Sequence, residues 1–328
     1  MKRMIWRILV CGVFCAQVAL AADASSTESY RETEGRRPWY SGRRPAMATP
    51  AAQLEHARNL RHKGSRRTAV RQYRALVASW PASPEAALAQ WEVAQTLDER
   101  GKADAAFEAY GEALDRYAGA IPTDPIVARQ FDIARQTFQH RSARWMFGGF
   151  SSPERAIPLL ESLLTRSPQA AFAAEAQMLL ARAHEKNDEP ETAAAAYGQV
   201  VFRYPQSEWA EEAAYRRSLT LYRLSERSPN DTRRAEDALH ALDHFLRGHP
   251  DSPRGLEAKA YRDQIQNRRI RQAFDKARHY DSPRRSPAAA LAAYRLFLER
   301  FPDTPQAEFA RERVRILTAA AAEGQGAL

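Results

Sequence analysis

Cysteine is nearly absent from this chain of 328 residues, in which only Cys11 and Cys15 occur. Both lie in the first apolar segment, so the remaining sequence has no thiol for a disulfide, a zinc–thiolate cluster or nucleophilic catalysis. We therefore expect a protein that tolerates an oxidising compartment without depending on disulfides.

Glycine, strand patterns and long apolar runs are also scarce. The chain has 14 glycines, alanine, arginine, leucine and glutamate dominate it, and no long run of β-branched residues alternates with polar ones. After residue 20, no stretch approaches the roughly 18 apolar residues of a membrane helix. The composition favours an all-α fold and a mature protein that is soluble or peripherally attached to a membrane.

The N-terminus has the pattern of a secretory signal peptide. Lys2, Arg3 and Arg7 precede an apolar run, residues 8–20, that is too short to span a bilayer comfortably. A pattern of small residues ends at Ala21. We therefore expect cleavage after Ala21 and export of the mature chain.

A lipid anchor is not expected from this N-terminus. A lipid-modified cysteine needs a small residue before it, whereas Val10 precedes Cys11 and Phe14 precedes Cys15. Any membrane contact is therefore predicted to be peripheral.

Basic residues exceed acidic ones, and the formal net charge is +9, of which the signal peptide contributes three. One basic stretch predicts a contact with an acidic partner or with lipid headgroups, although a solvated helix face would have the same composition. Its residues are Arg268, Arg269, Arg271, Lys276 and Arg278, followed by Arg284 and Arg285. No nucleic-acid-binding motif accompanies the charge, so we expect no nucleic-acid partner.

From residue 50 onward the dominant feature is internal repetition. Five apolar segments end in a proline, with a small residue twelve positions before it, a large apolar one at eight and another at five. A sixth copy, Ala106, Tyr110 and Ala113, ends at Ala118 without the proline. The five full copies are Ala69, Tyr73, Leu76 and Pro81; Ala156, Leu160, Leu163 and Pro168; Ala193, Tyr197, Val200 and Pro205; Ala238, Leu242, Phe245 and Pro250; and Ala290, Tyr294, Phe297 and Pro302.

A spacing of four and then three residues places these side chains on one stripe of a helix. The first position is alanine because a bulky side chain would hold the partner helix of the same hairpin apart. Gly64 and Gly101 mark the turn between the two helices, and Ala57, Ala94 and Ala181 are small positions in the first helix. The pattern resembles the tetratricopeptide repeat.

This resemblance implies an all-α, right-handed superhelical solenoid of about six helical hairpins closed by a C-terminal capping helix. The closing positions are 37, 50, 37, 45 and 52 residues apart, so we expect loop-like insertions at 141–152, 225–233 and 280–286. The predicted organisation is a signal peptide at 1–21, a flexible leader at 22–49, an array at 50–322 and a tail at 323–328, with hairpins at 50–83, 84–120, 121–169, 170–206, 207–251 and 252–304 and a cap at 305–322.

Motifs for catalysis or cofactor binding are missing from the sequence. It has no Gly-rich phosphate loop, nucleophile elbow, EF-hand or His-Glu-x-x-His pattern. His240 and His244 stand four apart on a predicted helix, but a zinc site needs further ligands. We expect a non-enzymatic protein without a catalytic, cofactor-binding or metal site.

In solenoids of this kind the first helix of each hairpin lines a groove in which partner proteins bind. Trp91 is the strongest candidate contact, because a Trp in a groove offers a peptide a large contact area, although it could equally pack against the next hairpin. The register predicts the groove residues Leu54, Arg58 and Arg61; Trp91, Gln95 and Asp98; and Met178, Arg182 and Glu185.

Three stretches between residues 170 and 310 have a more specific pattern. They are 204–216, with Tyr204-Pro205-Gln206-Ser207; 258–280, ending in Ala277-Arg278-His279-Tyr280; and 289–304, ending in Phe301-Pro302-Asp303-Thr304. They resemble the BamD (YfiO-like) family of outer-membrane barrel assembly subunits. Members of that family are typically tethered by a lipidated N-terminal cysteine, from which this N-terminus departs.

The resemblance implies a periplasmic adaptor at the inner face of the outer membrane. Such an adaptor holds a barrel-inserting outer-membrane protein and meets unfolded barrel substrates. The alternative is a soluble periplasmic adaptor resembling the CpoB type, which coordinates division and envelope machinery.

Overall fold

The computed structural model of the protein describes residues 44–139, 152–282 and 286–325. The predicted signal peptide, the leader up to residue 43 and nearly all of the predicted loop at 141–152 lie outside these ranges. Arg284 and Arg285 of the basic stretch also lie outside them.

The described residues form thirteen α-helices and no strand, which confirms the predicted all-α class. Their order along the chain matches six hairpins followed by one more helix. The helices are α1 Pro50–His62, α2 Arg66–Ser79, α3 Pro84–Glu99, α4 Ala103–Tyr117, α5 Thr123–Gln139, α6 Ser152–Arg166, α7 Ala173–Lys186, α8 Pro190–Arg203, α9 Ala210–Arg227, α10 Thr232–Gly248, α11 Gly255–Tyr280, α12 Pro287–Arg300 and α13 Pro305–Gln325.

The chain divides into two compact units, residues 1–133 and 134–328. In the N-terminal unit α1, α2, α3 and α4 pack in sequence, and α1 also contacts α3. In the C-terminal unit each helix from α6 to α13 packs on the next one, and α9 also contacts α11. At these two places the first helices of successive hairpins touch directly, as they do in stacked hairpins.

The closing register predicted from the sequence forms the core. The alanines at the first position, including Ala106, are fully buried. The large side chains at the next two positions of the five full copies are at most 1% exposed, and Tyr73, Tyr197 and Tyr294 are completely enclosed. The stripe predicted by the spacing is therefore the face on which the hairpins pack.

The predicted loop at 225–233 is reduced to residues 228–231, and the rest of that range is helical. Helix α9 continues to Arg227, α10 begins at Thr232, and Asp231 caps α10 by accepting a hydrogen bond from the Arg234 backbone N–H. Ser225, near the end of α9, is buried and donates to the Tyr222 carbonyl. The extra residues of this repeat therefore lengthen its helices, a difference that loop-forming residue types alone do not reveal.

Three hairpin turns use a left-handed backbone conformation. Gly64 and Gly101 have φ values of 78° and 66°, and Asp188 occupies the same kind of turn with a φ of 57°. Glycine adopts this backbone conformation without steric cost, whereas in a residue with a Cβ atom the same conformation is strained.

Candidate functional site

A tyrosine hydroxyl from the second helix of a hairpin, a carboxylate from the end of its first helix and a guanidinium from the following helical repeat recur together in this structure. In the fourth hairpin the Tyr197 hydroxyl donates to Glu185 at 2.5 Å, and Arg216 donates to the same carboxylate oxygen at 3.3 Å. Both donors converge on one acceptor, which fixes the position of the Glu185 side chain between two hairpins.

The same group occurs twice more. Arg129 donates to both oxygens of Asp98, at 2.6 and 2.9 Å, and the Tyr110 ring lies beside that carboxylate. At the other end of the chain, Asp281 accepts from Tyr294 at 3.1 Å and forms an ion pair with an arginine of α13. We call these three groups the tyrosine–acid–arginine triads.

The triads share a spacing that explains their position. The arginine follows the acid by 31 residues in two triads and by 32 in the third. The acid therefore lies near the end of the first helix of one hairpin, and the arginine lies on the first helix of the next. Two triads link successive hairpins, and the third links the sixth hairpin to the capping helix. Asp98 and Glu185, which the sequence assigned to a binding groove, are therefore engaged between repeats.

The junction between the first two hairpins has the opposite polarity. Arg61 of α1 donates to the carboxylates of Glu92 and Glu99 on α3. Arg58 donates to Glu92 at 3.2 Å, and so does the Tyr73 hydroxyl at 3.3 Å. Here the earlier hairpin supplies the cation and the later hairpin supplies the acid.

The protonation states of the triad residues preserve their hydrogen bonds near neutral pH. Burial raises the pKa of Tyr110 and of Tyr294 to about 12, because the phenolate would lose its hydration, and the adjacent carboxylate adds to the effect. The hydrogen bonds from Arg313 lower the pKa of Asp281 below its usual range. The tyrosines therefore remain donors and Asp281 remains a charged acceptor.

The predicted groove residues fall into three groups. Leu54 and Met178 are 5% and 0% exposed, which corrects their assignment to a partner-facing groove, because they pack in the core. The charged residues of the set, Arg58, Arg61, Asp98, Arg182 and Glu185, contact neighbouring repeats through the ion pairs above or, for Arg182, through a cation–π contact 5.5 Å from the Trp209 ring centroid. Trp91 and Gln95 are half-buried.

Ion pairs with the preceding hairpin divide the residues of the predicted basic stretch into two groups. Arg268 forms an ion pair with Glu226, and Arg269 pairs with Glu236 at 3.1 Å. Arg271, Lys276 and Arg278 of the same helix are exposed. The first two arginines therefore hold α11 to the preceding hairpin, and among the described residues of the stretch Arg271, Lys276 and Arg278 offer exposed cationic surface.

The structure also brings together an aromatic surface that the sequence analysis did not assign. The rings of Tyr222 on α9 and Tyr261 on α11 stack with centroids 4.4 Å apart at an interplanar angle of 22°. Tyr215 donates to Glu257 at 2.7 Å, and the Arg254 guanidinium lies 4.5 Å from the Tyr215 ring centroid. Extending the groove register into the fifth hairpin would have pointed to Tyr215 and Tyr222.

Within residues 44–139, 152–282 and 286–325, no three His, Cys, Asp or Glu side chains converge to hold a metal ion. His240 and His244 are both exposed on α10. None of the helices in this part of the chain combines the length and apolar character that a membrane span requires.

Two family models match the sequence. The model of the YfiO family, described as outer membrane lipoprotein, matches residues 150–322, which is more than half of the chain. A tetratricopeptide repeat model matches residues 54–121, from α1 to just past α4. One match lies within each compact unit. A comparison with curated proteins finds no match.

Several solved structures are similar at low identity. The tetratricopeptide protein YrrB, described as having an unusual peptide-binding site, is 16% identical over 63% of this chain and 90% of its own, with a TM-score of 0.30. PilF of Pseudomonas aeruginosa is 13% identical over 80% and 97%, with a TM-score of 0.31. MamA of Desulfovibrio magneticus is 17% identical over 63% and 100%, with a TM-score of 0.28. Likenesses this weak add no argument about function.

Proposed function

The chain belongs to the YfiO family of outer-membrane lipoproteins, and from this membership we propose that it is a periplasmic scaffold for the assembly of β-barrel proteins into the outer membrane. In this role it binds a barrel-inserting outer-membrane protein and meets unfolded barrel substrates. The family match carries the proposal, because it covers the whole of α6 to α12 and most of α13.

The surface of these helices supports a protein-binding role. Tyr222 and Tyr261 expose part of a stacked pair on adjacent first helices, and the arginines Arg271 and Arg278 of α11 are exposed nearby in sequence. Tyrosine and arginine are enriched among residues that dominate binding energy at protein interfaces. The tetratricopeptide and YfiO families are generally non-enzymatic scaffolds, which agrees with this role.

Localisation is the second part of the proposal. The signal peptide would export the chain to the periplasm and would be cleaved after Ala21, whereas the family is described as outer membrane lipoprotein. Mass spectrometry of the mature protein tests this: an unmodified N-terminus at Ala22 supports it, and a lipid-modified Cys11 or Cys15 refutes it.

Site-specific crosslinking in cells tests the barrel-assembly role. A photo-crosslinking amino acid at Tyr222 should capture a barrel-inserting outer-membrane protein, and depletion of the chain should lower the level of outer-membrane barrels. His240, exposed on the second helix of the same hairpin, is the matched control position and should capture much less of that protein. Capture of only peptidoglycan or division proteins would reject the proposal and favour the CpoB-like alternative.

A further inference from the structure

The C-terminal unit contains a pocket that the triads do not use. It lies where the end of α9, the middle of α11 and the start of α13 meet, and its volume is about 560 Å³. Ligand sites usually have volumes of roughly 300–1,000 Å³. The polar lining consists of Glu226, Gln264, Asn267, Arg268, Arg271 and Gln306.

One wall of the pocket is a fixed guanidinium. Arg268 donates to the Glu226 carboxylate and to the Ser225 hydroxyl at 3.2 Å, and its side chain is only 15% exposed. Its Nε is buried and has no acceptor among the described residues. Arg268 and Glu226 neutralise each other, while one N–H donor remains unused.

Arg271 provides the uncompensated charge. It lies on α11 one turn after Arg268, is exposed, and forms no ion pair with any residue in the described ranges. The lining therefore has a local charge of about +1, and a carboxylate beside Arg271 would gain a charge-assisted hydrogen bond.

The amide side chains of the pocket suit a peptide backbone. The Oε1 atom of Gln264 accepts from the Tyr222 hydroxyl, which leaves the amide N–H groups of Gln264 to donate. Asn267 and Gln306 each offer a donor and an acceptor, as peptide groups do. Through Gln264 the pocket adjoins the stacked pair of Tyr222 and Tyr261, on which a peptide side chain can pack.

From this arrangement we infer that the pocket binds an extended peptide segment of a partner protein, with an acidic side chain of that segment held by Arg271. The inference rests on the proposed scaffold function and identifies the chemistry of one partner contact. It differs from the predicted basic stretch in assigning the contact to one arginine within a pocket.

Selection from a phage-displayed library of random peptides tests this inference on the purified mature protein. Peptides selected by the wild type should be enriched in Asp or Glu, and the enrichment should disappear with Arg271→Glu. Lys276→Glu is the matched control, because it makes the same charge change on the same exposed helix outside the pocket. It should select acidic peptides as the wild type does.

A selected peptide then allows a quantitative test by fluorescence anisotropy. Replacing its acidic residue by the amide should weaken binding roughly tenfold, and Arg271→Glu should weaken binding of the acidic peptide at least as much. Arg271→Glu should have little effect on the amide peptide, since the paired group is already gone. Circular dichroism melts of both variants should match the wild type, because both residues are exposed.

Three results would overturn the inference. They are selected peptides without acidic enrichment, equal loss of binding in Arg271→Glu and Lys276→Glu, and loss of binding to phosphatidylglycerol vesicles in Arg271→Glu with peptide binding unchanged. The last would assign the pocket to a lipid headgroup. Failure of the crosslinking experiment would reject the barrel-assembly role while leaving a positive peptide result in place.

Discussion

Asp281 accepts one hydrogen bond on each carboxylate oxygen from Arg313, both at 2.7 Å. Asp281 follows the last residue of α11, and Arg313 lies on α13, so the pair connects the sixth hairpin to the capping helix. The Asp281 side chain is 14% exposed. Bidentate pairs at low exposure are stronger than ordinary surface ion pairs. Here an ion pair holds the end of the array together.

The Asp281→Asn variant should be less stable by about 1–2 kcal/mol at pH 7. Because Arg313 lowers the pKa of Asp281 in the folded state below its unfolded value, the contribution is present above the unfolded pKa of about 4. It is lost as the pH falls through the folded pKa. The difference in urea midpoint between variant and wild type should therefore shrink in strong acid.

The control for this experiment is Asp263→Asn. Asp263 is 55% exposed and pairs with its sequence neighbour Arg262, so its loss should change the stability by no more than about 0.5 kcal/mol. A destabilisation by Asp281→Asn that stays constant down to about pH 2 would contradict the electrostatic account.

Substitutions of Tyr197 separate packing from hydrogen bonding. Tyr197→Ala should cost about 3–5 kcal/mol, because it empties a completely buried site, as should Phe297→Ala. Tyr197→Phe keeps the ring and removes only the hydroxyl that donates to Glu185, so it should cost about 1–2 kcal/mol. Urea denaturation of the three variants measures both effects. Unchanged midpoints for the alanine variants would refute the register.

Exchanging the charges of Asp98 and Arg129 tests whether the attraction between them stabilises the protein. Asp98→Arg should destabilise the N-terminal unit, because it sets two arginines against each other. Adding Arg129→Asp should restore part of the lost stability. Since Arg129 is 37% exposed, we expect a coupling free energy of roughly 0.5–1 kcal/mol in a double-mutant cycle. Strict additivity of the two changes would show that the pair contributes nothing.

Substitutions at two of the turn residues, Gly64 and Asp188, should change the stability in opposite directions. Gly64→Ala should destabilise by about 1–2 kcal/mol, because its positive φ disfavours a Cβ although no atom lies within 4 Å of the added carbon. Asp188→Gly should be neutral or stabilise by up to about 1 kcal/mol, because it relieves the same strain.

Gly248→Ala is the control for these turn variants. Its φ is not in the left-handed region, and the added Cβ also meets no atom within 4 Å. Thermal melts should therefore show no destabilisation by Gly248→Ala. Equal losses in Gly64→Ala and Gly248→Ala would show that backbone conformation is not the cause.

The sequence predicts the core well because the core depends on a short-range pattern. Tyr197 and Phe297 lie at fixed distances from a closing proline, and a helix converts such distances into one face. The same argument explains why six hairpins and a cap could be predicted. The bounds of α9 could not, because Ser225 looks like a loop residue until its buried hydrogen bond to a helical carbonyl is known.

The binding surface was harder to predict. Asp98 and Glu185 were assigned to a groove because they occupy the inner face of a first helix, but that assignment ignores the neighbouring repeat. Their arginine partners lie 31 residues away. The periodicity of the sequence identifies one face of a helix. Whether that face is covered by a neighbouring repeat or is open to a partner depends on contacts between repeats.

The polarity of the triads limits how such arrays can recombine. At three junctions an acid of the earlier hairpin meets an arginine of the later one, so exchanging hairpins among these junctions preserves the pairing. At the first junction Arg61 takes the place of the acid, and Glu92, also 31 residues later, takes that of the arginine. A hairpin moved there from another junction would bring its arginine against Arg61. Shuffling of hairpins during evolution should therefore be tolerated better at the three triad junctions than at this one.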